Sequence, residues 1–240
     1  MNRVILCEGK TDAILLSYYL GRICGWKHTS PPQGLAIKAR NKNENVDWYK
    51  KGGEMLMICA VGGKDNFHSF FSRDLRKAMI HLGAFSRIAI IADRDDRSIE
   101  DIEQRISNEF SPFFDNVKNR EWCTNCYADA FGIEQNIDAL LLVIPAEQQG
   151  ALETVMLSAI AEDPYDRNIV EKCVSFVSDM RSHADRYITS DRLQLKANLS
   201  TVWAIQSPEK VFDFINEQIN AVSWEDYKTL RDCFGILEEI

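Results

Sequence analysis

Three acidic residues in this chain have the types and spacing to hold a metal ion. Glu8 directly follows the apolar run that ends at Cys7, and Asp93 and Asp95 follow the apolar run Arg87 to Ala92. In open parallel sheets, functional groups gather in the crevice at the C-terminal ends of the strands. Two strands that finish in acid are therefore expected to bring Glu8, Asp93 and Asp95 to one rim. If the chain stays extended through 93–95, Asp93 and Asp95 project from the same face. An isolated acid after a strand often just caps the next helix, but the joint occurrence points elsewhere. Like charges gathered at a rim are unfavourable unless a cation neutralises them. Carboxylates without nearby His or Cys favour Mg²⁺ or Mn²⁺ over Zn²⁺, and Mg²⁺ usually keeps waters and takes one or two carboxylates plus substrate phosphate. The expected chemistry is thus on phosphate. Gly9 allows a tight turn after the strand, and Asp12 sits four residues beyond Glu8, within reach of the same ion. Lys10 and Lys64, each just past a strand, are the candidates to face a phosphate.

The elements that must position these groups follow a repeated pattern. Arg3 to Cys7 reads as a strand, followed by a helix from Thr11 to Ile23 with Thr11 as N-cap and Gly25 as stop. Met55 to Val61 is a second buried strand, with a helix over 67–82 ending at Gly83. Arg87 to Ala92 is the third, and Ser98 with Asp101 opens its helix as a capping box. Ala139 to Ile144 is a fourth, with a helix over 150–161. The stretch containing Pro31-Pro32 and Gly52-Gly53 reads as loop or hairpin. Beyond Pro164 the pattern is helical only: 166–182, 191–205, and two short helices starting near Ser207-Pro208 and Ser223, the latter boxed by Asp226. The expected fold is α/β, a Rossmann-like, mostly parallel sheet with helices on both faces and a C-terminal helical extension. The expected domains are 1–163 and 164–240.

The strings Ile5-Leu6-Cys7-Glu8-Gly9-Lys10-Thr11-Asp12 and Ile90-Ile91-Ala92-Asp93-Arg94-Asp95 resemble the two signature motifs of the TOPRIM domain, over residues 3–160. That family, found in topoisomerases, bacterial primases, ribosomal-RNA maturation nucleases and the OLD nucleases, binds Mg²⁺ through a Glu after its first strand and a DxD pair. Asp12, the stretch Gly150-Ala151-Leu152-Glu153 and Lys196 are similar to the OLD-type arrangement and to small stand-alone TOPRIM-like proteins. The resemblance implies that Glu8 and Asp12 serve one ion, that Asp93, Asp95 and Glu153 serve another, and that Lys196 approaches the scissile phosphate. It implies Mg²⁺- or Mn²⁺-dependent hydrolysis of DNA or RNA with Glu8, Asp93, Asp95 and Lys196 as catalytic residues, two ions clamping both sides of the displacement. A topoisomerase's tyrosine domain and a primase's zinc and priming modules have no room in this chain. OLD proteins carry an ATPase domain ahead of the TOPRIM core, so the resemblance also implies an ATPase on a separate chain as a partner.

Composition bounds these expectations. The chain has 240 residues, 45% hydrophobic and 27% charged, as ordinary folded proteins have. Its apolar runs are too short for a membrane span, which needs about 20 residues, and its start does not read as a signal peptide; cytoplasmic residence is expected. A net charge of −8 argues against a generally basic surface for nucleic acid, so phosphate contact must be local. The segment 27–51, with Lys27, Lys38, Arg40, Lys42, Lys50 and Lys51 around Trp48 and Tyr49, is the best candidate, although a solvated loop is the simpler reading of it. Seven scattered cysteines suggest reduced thiols, and Cys123 with Cys126 lacks the second pair a zinc site needs. Gly62-Gly63-Lys64 lacks Walker spacing, and the four histidines show no ligand pairing. Two other functions fit the same residues: a non-catalytic subunit that grips nucleic acid or a partner ATPase, and an enzyme acting on free nucleotides.

Overall fold

The computed structural model describes residues 2–35, 37–210 and 212–240. It contains a seven-stranded sheet in the order β2-β3-β4-β1-β5-β7-β6, with β1 at Asn2–Cys7, β2 at Lys27–Thr29, β3 at Asn45–Lys51, β4 at Glu54–Ala60, β5 at Phe85–Asp93, β6 at Trp122–Ala128 and β7 at Glu134–Ile144. At the centre β1 pairs in parallel with both β4 and β5, while β2 with β3, β3 with β4 and β6 with β7 pair antiparallel. The expected α/β fold is therefore present, with antiparallel additions at both edges. Central strands of this kind are apolar along their length because both faces are covered, and Val4, Ile5, Leu6 and Cys7 are all buried.

The chain divides into two compact units: residues 1–93, 97–143 and 236–240, and residues 94–96 with 144–235. In the first unit, α1 spans Lys10–Cys24 and lies against β4. It begins one residue before Thr11, which is not its cap; Gly9 is, in extended conformation, and Gly25 closes it at φ 76°. The next helix is broken: α2 (Phe67–Phe70) runs through a π turn at Phe71–Leu75 into α3 (Arg76–Leu82). The turn seats Phe71 among Phe110, Phe113 and Phe114, at ring separations of 4.9, 5.3 and 5.6 Å. Helix α4 (Ile99–Phe110) buries Ile102, Ile106 and Phe110 at a four-residue spacing, and the Ser98 hydroxyl accepts from the Asp101 amide, as the sequence suggests. Gly52-Gly53 turns the antiparallel β3–β4 hairpin, one of the two readings of that stretch. Two other features of this unit were not expected. The basic 27–51 region carries the strands β2 and β3, and Trp48 of β3 stacks on Phe85 at 6.4 Å. Strand β6 carries Cys123 and Cys126, which are three apart and so face opposite sides of the sheet, one buried and one exposed. They cannot share an ion.

The second unit is helical: α5 (Leu152–Ile160), α6 (Pro164–Arg181), α7 (Asp191–Gln206), α8 (Ile215–Asn220) and α9 (Lys228–Phe234). Helix α5 is buried almost all round and packs against α6, α7 and α9, which makes it the centre of the unit. Asp163 caps α6 by accepting from the Tyr165 and Asp166 amides, with Pro164 at the first helical position. The helices expected at Ser207-Pro208 and Ser223 are only three-residue 3₁₀ turns, Pro208–Lys210 and Trp224–Asp226, and the Ser223 hydroxyl makes no cap bond. Among the described residues no helix is long and apolar enough to cross a membrane.

Glu162 ties α9 into this unit by accepting from the Lys228 and Thr229 amides at 2.9 and 2.6 Å. Partial burial works to raise its carboxyl, but these bonds and the Thr229 hydroxyl outweigh that and hold it below its ordinary value. A depressed folded pKa means that the stability is present above the unfolded glutamate range, about pH 4.3, and is lost as pH falls through the lower folded value. Glu162→Gln is expected to lower Tm at neutral pH and to flatten the acid limb of the Tm profile; an unchanged limb in differential scanning calorimetry refutes the assignment.

Candidate metal and phosphate site

In the first unit, β1 and β5 are neighbours in register, and the side chain following one reaches the end of the other. Glu8 Oε1 accepts from the Asp93 amide at 3.0 Å, with Glu8 3% and Asp93 5% exposed. Asp12, equally buried, is the third residue of α1, and its Oδ2 accepts from the Gly9 amide at 2.5 Å. The Glu8 carbonyl in turn accepts from Gly62 and Gly63, at 3.0 and 2.8 Å, so the loop after β4 is pinned to the end of β1. Gly62 and Gly63 adopt φ 85° and 128°, which favour glycine at this close approach. The Cys7 thiol reports the local field: burial pushes it up first, and Asp12, Cys59, Glu8 and Asp93 add to the rise. Negative charge is thus concentrated at the end of β1.

Lys10 opens α1 and is exposed, and Lys64 opens the 3₁₀ turn at Lys64–Asn66, its carbonyl accepting from Arg105. Both lie within a few residues of a strand end, Lys10 after β1 and Lys64 after β4. The expectation of a shared face for Asp93 and Asp95 fails for a backbone reason. Asp95 adopts φ 52°, a left-handed conformation rare for a side chain with a Cβ, so the alternation of an extended strand stops at Asp93.

In the second unit, Asp95 is held by reciprocal backbone bonds with Gly150, at 2.6 and 2.9 Å. Its Oδ1 also faces Arg192 Nη1 at 3.3 Å. One turn further along α7, Lys196 Nζ lies 3.5 Å from Glu153 Oε1. Glu153 is on the apolar helix α5, 6% exposed, and its Oε2 is buried without a hydrogen-bond partner among the described residues. The structure therefore brings Glu153 and Lys196 together, two residues whose roles the TOPRIM resemblance implied separately. Arg192 escaped the sequence reading; the available signal was its position four residues before Lys196 on one helix.

Among the described residues no three or more His, Cys, Asp or Glu groups are arranged to hold a metal ion. Each carboxylate is turned to a protein donor instead: Glu8 to Asp93, Asp12 to Gly9, Asp95 to Arg192 and Glu153 to Lys196. The histidines take no part: His28 packs edge-on against Tyr49, and His68 contacts the Glu109 carbonyl. A cavity of about 240 Å³ in the second unit, lined in part by Trp203, Lys210 and Gln218, contains none of the candidate residues.

A family profile described as "Protein of unknown function (DUF3226)" matches residues 2–227. Among solved structures, a hypothetical protein from Pyrococcus horikoshii OT3 is similar at 15% identity and a TM-score of 0.45, covering 94% of this chain and 98% of that one. No curated protein matches the chain.

Proposed function

The chain belongs to the DUF3226 family of proteins of unknown function, and we propose that it is a divalent-metal-dependent phosphodiesterase acting on DNA or RNA. One observation carries the reading: Glu8 and Asp93, buried carboxylates at the ends of neighbouring parallel strands, are joined by the Asp93 amide at 3.0 Å. The donors fit Mg²⁺ or Mn²⁺, being hard carboxylate oxygens without histidine. Two such ligands suffice, because Mg²⁺ commonly takes one or two carboxylates and completes its shell with water and substrate phosphate. Glu8 and Asp93 would hold the ion, with Asp12 buried beside them on α1. Bound there, it would supply Lewis acidity to a phosphoryl oxygen.

The chain's own groups provide positioning and charge. Bonds from Gly62 and Gly63 to the Glu8 carbonyl fix the rim, so its carboxylate needs little reorganisation. Lys10 and Lys64 supply cations for substrate phosphate. On the second unit, taken by itself, Asp95 and Glu153 keep the ligand role that the TOPRIM resemblance implies, and Lys196 the role of a cation for phosphate. A separate ATPase chain remains the partner which that resemblance adds. Plasmid, single-stranded DNA and RNA incubated with the purified protein and Mn²⁺ are expected to be cut, and EDTA to stop it. Three intact substrates sink the reading.

A second reading, a nucleic-acid-binding subunit without catalysis, is favoured by the internal donor that each candidate carboxylate already has. Strand binding without cleavage in Mn²⁺ selects it.

A further inference from the structure

The first unit contains an open groove of about 400 Å³ lined by Gly34, Leu35, Ile37 and Arg40 together with residues of the π turn and α3, and by none of the candidate metal carboxylates above. Four of its lining side chains are basic: Arg40, Arg73, Lys77 and His81. Two of them are held by carboxylates, one of which, Asp74, also lines the groove. Asp74 accepts from Arg40 Nη2 at 2.8 Å and from Arg73 Nε at 2.6 Å, and Glu44 accepts from Arg73 Nη2 at 3.1 Å. Both carboxylates are nearly inaccessible, with side-chain exposures of 5% and 4%. They fix the guanidiniums without using all their N–H groups, and among the described residues the Arg40 guanidinium spends only Nη2. Lys77 and His81 lie four residues apart on one face of α3, both exposed, and neither makes an ion pair or side-chain hydrogen bond among the described residues.

The charge balance follows. Arg40, Arg73 and Lys77 oppose Asp74 and Glu44, leaving the groove positive. Pre-oriented guanidiniums beside an unneutralised ammonium are suited to phosphate oxygens, which accept several donors at once. Exposed Leu82 lines the same groove and offers an apolar surface beside them. A chain of net charge −8 repels a polyanion at long range, so it needs a local site of this kind. Arg40 comes from the basic segment 27–51, whereas Arg73 and Asp74 come from the π turn at Phe71–Leu75 and Lys77 and His81 from α3, all well beyond that segment.

We propose that this groove binds the phosphate backbone of a nucleic-acid strand; the choice of a strand over other phosphate esters rests on the phosphodiesterase reading. The test is fluorescence anisotropy of a short fluorescein-labelled single strand in EDTA, titrated at several salt concentrations. Lys77→Glu, an exposed change that leaves the core untouched, is expected to weaken binding roughly fivefold. It should also reduce the salt slope by about 0.7, the value for one lost phosphate contact on a single strand. Lys77→Arg retains both. Equal affinity and slope for wild type and Lys77→Glu overturn the proposal, as does an absence of binding by the wild type. Competition by a mononucleotide as strong as by the strand overturns the strand assignment. The metal reading is separable: Lys77→Glu is expected to bind Mn²⁺ in calorimetry as wild type does.

Discussion

Asp93→Asn is expected to remove Mn²⁺ binding at the strand ends and to reduce metal-dependent cleavage by about 10²–10³-fold, the scale for losing one preorganised electrostatic group. The substitution keeps the side-chain volume and leaves the backbone amide that donates to Glu8 in place. The fold therefore persists, and loss of activity cannot be ascribed to unfolding. In EDTA the variant should be at least as stable as wild type, because one negative charge leaves a rim where Asp12, Glu8 and Asp93 all act on Cys7. That combination, activity lost and stability retained or raised, separates a ligand from a structural carboxylate. Glu8→Gln should behave alike, since an amide carbonyl still accepts from Asp93. Isothermal calorimetry with Mn²⁺ and a plasmid-cutting assay check both, and wild-type Mn²⁺ affinity in Asp93→Asn refutes the assignment.

Gly150→Ala has the second large expected effect, on the second unit. A Cβ at Gly150 would meet Thr154 Oγ1 at 2.3 Å and Thr154 Cβ at 2.9 Å, and φ there is 141°. Both the contact and the backbone oppose any side chain, and a destabilisation of about 2–4 kcal/mol is expected. The consequence extends to Asp95, which exchanges both backbone bonds with Gly150. Thr154→Ala introduced with Gly150→Ala relieves the clash but not the φ, so the double variant should recover part of the loss. It also removes the hydroxyl that accepts from the Ala151 amide at 3.3 Å, a cap worth about 1 kcal/mol. Urea unfolding of Gly150→Ala, Thr154→Ala and the double variant measures each contribution, and a Gly150→Ala protein as stable as wild type refutes the account.

The parallel centre of the fold was legible because residues 4–7 of β1, 56–60 of β4 and 88–92 of β5 are buried and so are apolar without interruption. The edges were not. Strands β2 and β3 are rich in lysine and take their place through Trp48 packing on Phe85, a contact between residues remote in the chain. Strand β6 alternates buried and exposed positions, but its inward residues include Asn125, whose amide bonds the Asn116 and Cys123 carbonyls and so hides the period from a count of apolar side chains.

The site divides along the same line. By itself the sequence determined that Glu8 and Asp93 end core strands, since a buried strand must finish where its apolar run meets a charge, and this put both carboxylates at one end of the parallel sheet. It also determined Asp12 as a first-turn residue of α1. Tertiary structure decided the rest: Asp95 leaves the extended conformation to bond Gly150, Arg192 reaches it across 97 positions in sequence, and Lys196 turns to Glu153. Local pattern carries no information on such pairings, because they depend on where α5 and α7 pack and on a backbone angle at one residue. Strand-end chemistry is written locally, whereas the partners of each charge are set only when distant segments meet.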